Sequence, residues 1–173
     1  MPQDHSKREI AKHLMQISTF MVADEAFAIP ALLVEEYFRP VPITRVPGSD
    51  ARIDGLVNIR GRTAVVVNMR SCLDMPQRIA SDPGEMILLE TTQRLVSEAI
   101  ALGLHTFDES IVLNVDSASH IYQLVDEETH PSPPHVNQAF VEGVVCIDEN
   151  YFTMISVAKL IDHILNGSCG ELK

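Results

Sequence analysis

Apolar residues in this chain come in short runs broken by turn residues, not in long helical stripes. Runs at 17–22 and 26–29 flank Asp24-Glu25, an acidic pair that reads as a turn between two strands. Leu32, Leu33 and Val34 lead into Glu35-Glu36-Tyr37-Phe38; Pro40, Pro42, Pro47 and Gly48 follow, a density of breakers that no helix survives. Asp54-Gly55 reads as a tight turn ahead of a strand over 56–59, and Arg60-Gly61-Arg62 as a second turn. Residues 63–69 are almost wholly apolar and rich in valine, which predicts a buried strand. Further strands are predicted over 86–89, 111–115 and 121–125, and a hairpin over 140–147 and 151–155 around Asp148-Glu149-Asn150. His130-Pro131-Ser132-Pro133-Pro134 is an extended connection, because proline excludes it from a core element.

Helical signals are few. Ser6 and Glu9 have the spacing of a capping box, and Ile10 and Leu14 sit four apart, so a short helix over 6–15 competes with a frayed leader. Residues 93–102 predict a helix with Gly103 as its stop. Ser156 is placed to cap a last helix with Val157, Leu160, Ile161 and Ile164 on one face. The segments 55–69 and 143–155 share one order of glycine, strand, turn and apolar strand, a hint of two similar halves. The fold class is therefore mainly β, as small barrels or a sandwich.

Composition narrows the function. The 173 residues suit one domain, or two small ones sharing a core, and 46% hydrophobic residues are enough to build it. Thirteen basic residues face 24 acidic ones, a net charge of −11 with no basic run, which argues against nucleic acid and anionic membranes as partners. Cys72, Cys146 and Cys169 are odd in number and widely spaced, pointing to a reduced, cytosolic setting. The polar N-terminus does not read as a signal peptide, and no apolar run approaches the ~20 residues of a membrane span. The seven histidines show no metal-ligand spacing, and neither a nucleophile elbow nor a phosphate-cradling glycine loop occurs, so no metal, cofactor or catalytic residue is assigned.

One stretch carries a more specific pattern. Ile43-Thr44-Arg45-Val46-Pro47, followed by Ile53-Asp54-Gly55-Leu56-Val57-Asn58-Ile59-Arg60-Gly61-Arg62, resembles the centre of a CheW-like domain, with its proline-ended strand and Gly-hydrophobic-hydrophobic-Asn-hydrophobic-Arg-Gly. Phe27-Ala28-Ile29-Pro30, Val34-Glu35-Glu36-Tyr37, Val115-Asp116-Ser117-Ala118, Phe140-Val141-Glu142-Gly143-Val144 and the Pro133-Pro134 connector agree with it. The resemblance runs over 17–165, leaving 1–16 as a leader and 166–173 as a tail. It implies two interleaved five-stranded SH3-like β-barrels packed side by side. It also implies a non-enzymatic, cytoplasmic adaptor between the tip of a methyl-accepting chemoreceptor and the regulatory domain of a chemotaxis histidine kinase, recruited to membrane-associated arrays. The competing functions are an adaptor of a chemotaxis-like pathway that does not control motility, an isolated kinase regulatory domain, and a small-ligand-binding barrel.

By the same resemblance, Arg60 matches an arginine tied to receptor and kinase coupling, and Glu36 an acidic position able to pair with it, with Val34, Gly55, Asn58 and Gly61 around them. The residues have their own physics. An arginine in a glycine-bounded turn is not deeply buried without a partner, and a carboxylate such as Glu36 can hold its planar fork at a fixed angle. Read without the family, Arg60 is more simply a solvated turn arginine, and Val34 is a core residue as readily as a contact.

The chain departs from the family at Val65 and Asn68, where a proline and an acidic residue are usual, at Val112, where glycine is usual, and at Ser156, where aspartate is common. Its largest departure is an insertion at 91–110, where a short hairpin is expected. A link of that length in a compact domain is functional or mobile. The expectation is a short helix offering an extra partner surface through Leu95, Ile100 and Leu104, against the alternative of an inert insertion.

Overall fold

The computed structural model describes residues 15–78, 83–124, 130–131, 133–136 and 138–167, with side chains through 165. The leader helix predicted over 6–15 lies outside the described residues except for Met15, as do Val125, Ser132 and Cys169.

Ten strands form two five-stranded sheets: β1 (Gln16–Val22), β2 (Glu25–Pro30), β3 (Val34–Phe38), β4 (Ile53–Ile59), β5 (Arg62–Asn68), β6 (Glu85–Leu89), β7 (Ile111–Val115), β8 (Ser117–Gln123), β9 (Val141–Ile147) and β10 (Asn150–Ile155). The first sheet runs β8-β1-β2-β10-β9 and the second β3-β6-β7-β5-β4. Each contains one parallel pair, β2 with β10 and β5 with β7, and is otherwise antiparallel. In both sheets a hairpin supplies the strand of the parallel pair and a helix follows it: α1 (Met69–Cys72) after β5, α3 (Val157–Gly167) after β10. Matching β3 through β7 with β8, β9, β10, β1 and β2 reproduces every pairing and its direction. The halves are thus alike in topology but circularly permuted, with the second sheet inserted between β2 and β8. The resemblance between 55–69 and 143–155 is this pair of hairpins.

Burial explains the apolar runs. Val57, Ala64, Val66, Met86, Leu88 and Val112 fill the second barrel, and Ile17, Ala28, Val145, Phe152 and Met154 the first. The opposite faces meet in a shared core, where Phe20 stacks on Phe27 with ring centroids 6.0 Å apart, joined by Val67, Ile87, Leu113, Phe140 and the apolar face of α3. Val66 and Val67 point to different cores, so β5 is buried on both faces and shows little alternation. Each fully buried Phe, Leu or Ile here contributes about 1.5–3 kcal/mol of transfer free energy.

Polar ties cross between the halves. Asp116, at the β7–β8 crossover, accepts from Arg70 Nη2 at 2.5 Å, Arg78 Nη2 at 2.7 Å and the Ala23 N–H at 2.7 Å. Arg52, held by Asp50 at 2.6 Å, donates to the His163 carbonyl at the end of α3 at 3.1 Å.

The positions that depart from the family fit their places. Val112 is buried and Val65 half-buried. Asn68 caps α1, accepting from the Ser71 N–H at 3.0 Å while giving its amide to Asp54 at 2.9 Å. Ser156 takes the predicted cap of α3.

Three expectations need correction. Asp54-Gly55 is not a turn but part of β4, at an irregularity in its register with β5. Gly55 has φ 142°, and its missing side chain lets the Thr44 strand segment bridge to Leu56. The helix predicted over 93–102 is broken into a 3-10 turn, Thr92–Arg94, and a short α2, Ser97–Ala101. Leu95 and Val96 between them are extended, because Leu95 turns inward to the core. Gly103 (φ 73°) does stop the helix, with its N–H on Ile100 and that of Leu104 on Ala99, as in a Schellman cap. The strand expected over 121–125 begins earlier, at Ser117, and its side chains are mostly outside the core because it is a sheet edge.

Candidate functional site

Edge strand β3 and the β4–β5 hairpin stand at opposite edges of the second sheet, and the predicted site lies where they meet. Ile59 pairs with Arg62, which leaves Arg60-Gly61 as a two-residue loop with φ 50° and 82°. This is the type I′ arrangement, which matches the strand twist and asks for glycine at one position at least. Asn58 closes the loop by accepting the Gly61 N–H at 3.0 Å. Arg60 is therefore presented at the tip, 72% exposed, where its Nη2 donates to Glu36 Oε1 at 2.7 Å. Glu36 is 31% exposed. This single contact among the described residues leaves the other guanidinium donors available to a partner.

The neighbouring charges form a longer chain. Glu35 Oε1 accepts from Arg62 Nη2 and from Arg94 Nη1, both at 2.6 Å, and Arg94 Nε lies 3.7 Å from Glu90 Oε2. Glu35 and Glu36 are adjacent on a strand, where alternation would send them to opposite faces. The β3–β6 register shifts between Val34 and Glu36, and this bulge re-aims them so that both reach the hairpin. Burial pushes the Glu35 carboxyl up, but hydrogen bonds and charges from Arg62 and Arg94 outweigh it and leave it below the ordinary carboxylate value. Glu90 is the reverse: burial raises it and the Glu35 charge adds to that, against the attraction of Arg94.

The sequence-selected residues divide accordingly. Arg60, Glu36, Asn58 and Gly61 come together at one tip. Gly55 lies further along β4 and serves backbone packing, and Val34 is half-buried against the shared core beside Leu89. Of the three insertion residues, Leu95 and Leu104 pack against the core, while Ile100 is 62% exposed, with Val96 four residues earlier at 50%. Arg62, Glu35, Arg94 and Glu90 were not singled out from the sequence. Arg62 and Glu35 adjoin chosen residues, but the bulge and the position of Arg94 have no sequence signal.

The sequence profile of the CheW-like domain matches residues 16–165. The chain belongs to the CheW-like domain family. It is 31% identical over 146 residues to the chemotaxis protein CheW of Bacillus subtilis, covering 83% of this chain and 84% of that one. It is 22% identical over 148 residues to the probable chemotaxis protein CheW of Rhizobium etli, covering 84% and 86%. In structure it is similar to the scaffolding protein TtCheW from Thermoanaerobacter tengcongensis, with a TM-score of 0.66 and 23% identity over 82% of this chain and 88% of that one, a likeness of fold. The two permuted sheets are thus the two barrels of a CheW-like domain. Among the described residues no helix is long and apolar enough to cross a membrane.

Proposed function

We propose that this CheW-like chemotaxis scaffold is a non-enzymatic adaptor that couples a chemoreceptor tip to the regulatory domain of a chemotaxis histidine kinase. It works in the cytoplasm and is recruited to membrane-associated receptor arrays. The observation that carries the reading is Arg60: an exposed guanidinium on a rigid two-residue loop, pinned at one point by Glu36, at the position that matches the family's coupling arginine. A charge held in one geometry loses little freedom on binding, which favours specific pairing with a protein carboxylate or carbonyl. Glu36, Asn58 and Gly61 hold that geometry, while Val34 and Gly55 support the strands beneath it. The insertion adds a contact of its own through Ile100 on α2, with the exposed Val96 just ahead of that helix, whereas Leu95 and Leu104 anchor it.

The test is a pulldown with a receptor signalling tip and the kinase regulatory domain. The wild-type chain is expected to bind both. Arg60→Glu is expected to weaken at least one binding with an unchanged circular dichroism spectrum; full binding of both partners by that variant overturns the site. Ile100→Glu tests the insertion, and unchanged binding and array incorporation would remove its contact role.

A further inference from the structure

We infer that Arg94, carried by the insertion, is a positioning residue that fixes which carboxylate Arg60 takes. The inference rests on the coupling role of Arg60 and adds a means of controlling it. Two arginines, Arg60 and Arg62, flank a hairpin tip, and two glutamates, Glu35 and Glu36, face them from the bulge in β3. Four charges so close have two pairings. In the observed one, Arg60 takes Glu36 and Arg62 takes Glu35. In the crossed one each arginine takes the other glutamate. Neither is strongly preferred by the hairpin alone, since exposed arginine side chains are long and their pairs weak.

Arg62 donates to Glu35 and lies in the field of Glu36. Its guanidinium is held above the ordinary value by the hydrogen bond to Glu35, against the cost of burial, and also by the charges of Glu35, Glu90 and Glu36. What separates the pairings is Arg94. Its Nη1 shares the same Glu35 oxygen that Arg62 uses, at the same 2.6 Å. Arg94 thereby holds the Glu35 carboxylate turned towards Arg62 at the one oxygen that accepts, and Arg60, at the tip, is left with Glu36. The other Glu35 oxygen, Oε2, is buried and accepts no hydrogen bond from the described residues, and the same holds for Glu90 Oε2, so neither offers Arg60 an exposed alternative. Arg94 is itself well placed. It ends the 3-10 turn Thr92–Arg94, which is fastened by Thr92 N–H on the Phe107 carbonyl at 2.9 Å and by the side chain of Thr106 on the Glu90 carbonyl at 2.7 Å. The insertion thereby acts on the coupling tip through Glu35, independently of anything its own apolar face touches.

Two measurements test this. The first is a double-mutant cycle on binding of the kinase regulatory domain or receptor tip, whichever Arg60 contacts, with Arg60→Ala and Arg94→Ala. A positioning role predicts that Arg94→Ala weakens binding about fivefold in the wild-type background and not at all in the Arg60→Ala background. Equal losses in both backgrounds mean that Arg94 touches the partner itself, and no loss in either means that it does nothing; both overturn the inference. The second needs no partner: the Arg60 Nε–Hε resonance is expected to shift and broaden in Arg94→Ala and to return towards its wild-type position in Arg94→Lys, which restores a cation on Glu35. An Arg60 resonance unmoved by Arg94→Ala overturns it. Should Arg60→Ala bind both partners fully, the coupling role falls, and the second measurement still decides the positioning.

Discussion

Glu36 and Arg60 belong to opposite edges of one five-stranded sheet, and their side chains meet at 2.7 Å across the gap. The pair closes the barrel rim while leaving Arg60 mostly in water. Its thermodynamic value is small, because an exposed ion pair contributes about 0–1 kcal/mol. Its use is geometric. Glu36→Gln should lower the unfolding free energy measured by urea titration by less than about 0.5 kcal/mol while weakening whatever Arg60 binds, and a stability loss several times larger would mean that the pair is structural.

Gly55 and Gly61 are predicted to differ sharply. A Cβ on Gly55 would lie 2.2 Å from the Thr44 carbonyl oxygen, a backbone atom in a paired segment that cannot yield cheaply. Gly55→Ala should cost about 3 kcal/mol. A Cβ on Gly61 would meet nothing within 4 Å, so Gly61→Ala faces only the positive φ of 82° and should cost about 1 kcal/mol. Denaturant unfolding of the two variants compares them directly, and equal losses would contradict the packing role of Gly55.

Asp116 joins the crossover to Arg70, Arg78 and the β1–β2 turn. Burial raises its pKa, but hydrogen bonds from Arg70, the Ala23 N–H and Arg78 outweigh that and leave it below the ordinary value. A depressed folded-state pKa means that the unfolded chain binds the proton first, so this stability is present above the unfolded value of about 3.9 and is lost as pH falls through the folded one. Asp116→Asn should cost about 3 kcal/mol at neutral pH and flatten the loss of stability on going from about pH 5 to pH 3. An acid-unfolding curve parallel to that of the wild type would refute the assignment.

Arg52 caps α3 from a loop of the other barrel, through the His163 carbonyl at 3.1 Å and the Ile164 carbonyl at 3.5 Å. Arg52→Ala should cost about 1–2 kcal/mol and speed amide exchange in the last turns of α3. Exchange unchanged there would mean that the cap carries no stability.

Cys72 lies in the shared core, and burial pushes its thiol up to about 12, against the pull of Arg52. Only about one molecule in ten thousand then carries the thiolate at pH 8. Peptide mapping after iodoacetamide treatment should find Cys72 unmodified in the folded protein and modified in urea. Rapid labelling without denaturant would show that the core opens there.

The strands and hairpins were legible in the sequence because they rest on local chemistry. Turn residues punctuate the strands, Asp148-Glu149 sits between β9 and β10 as expected, and Ser156 caps the last helix as its position implies. Asp54-Gly55 misled because glycine marks both turns and close backbone approach, and only the neighbouring Thr44 segment distinguishes them. The insertion misled because Leu95 looks helical by spacing yet is claimed by the core.

The sequence by itself determined the β class, the run of strands and turns, the motif that marks the family, and Arg60 on its loop, since each is written in residues near one another along the chain. Only the tertiary structure decided that the two halves are permuted copies sharing a core, that a bulge turns Glu35 and Glu36 the same way, and that Arg94 reaches Glu35 across 59 residues. Those depend on which strands neighbour one another and on where long side chains end, and long-range pairing leaves no local pattern to read.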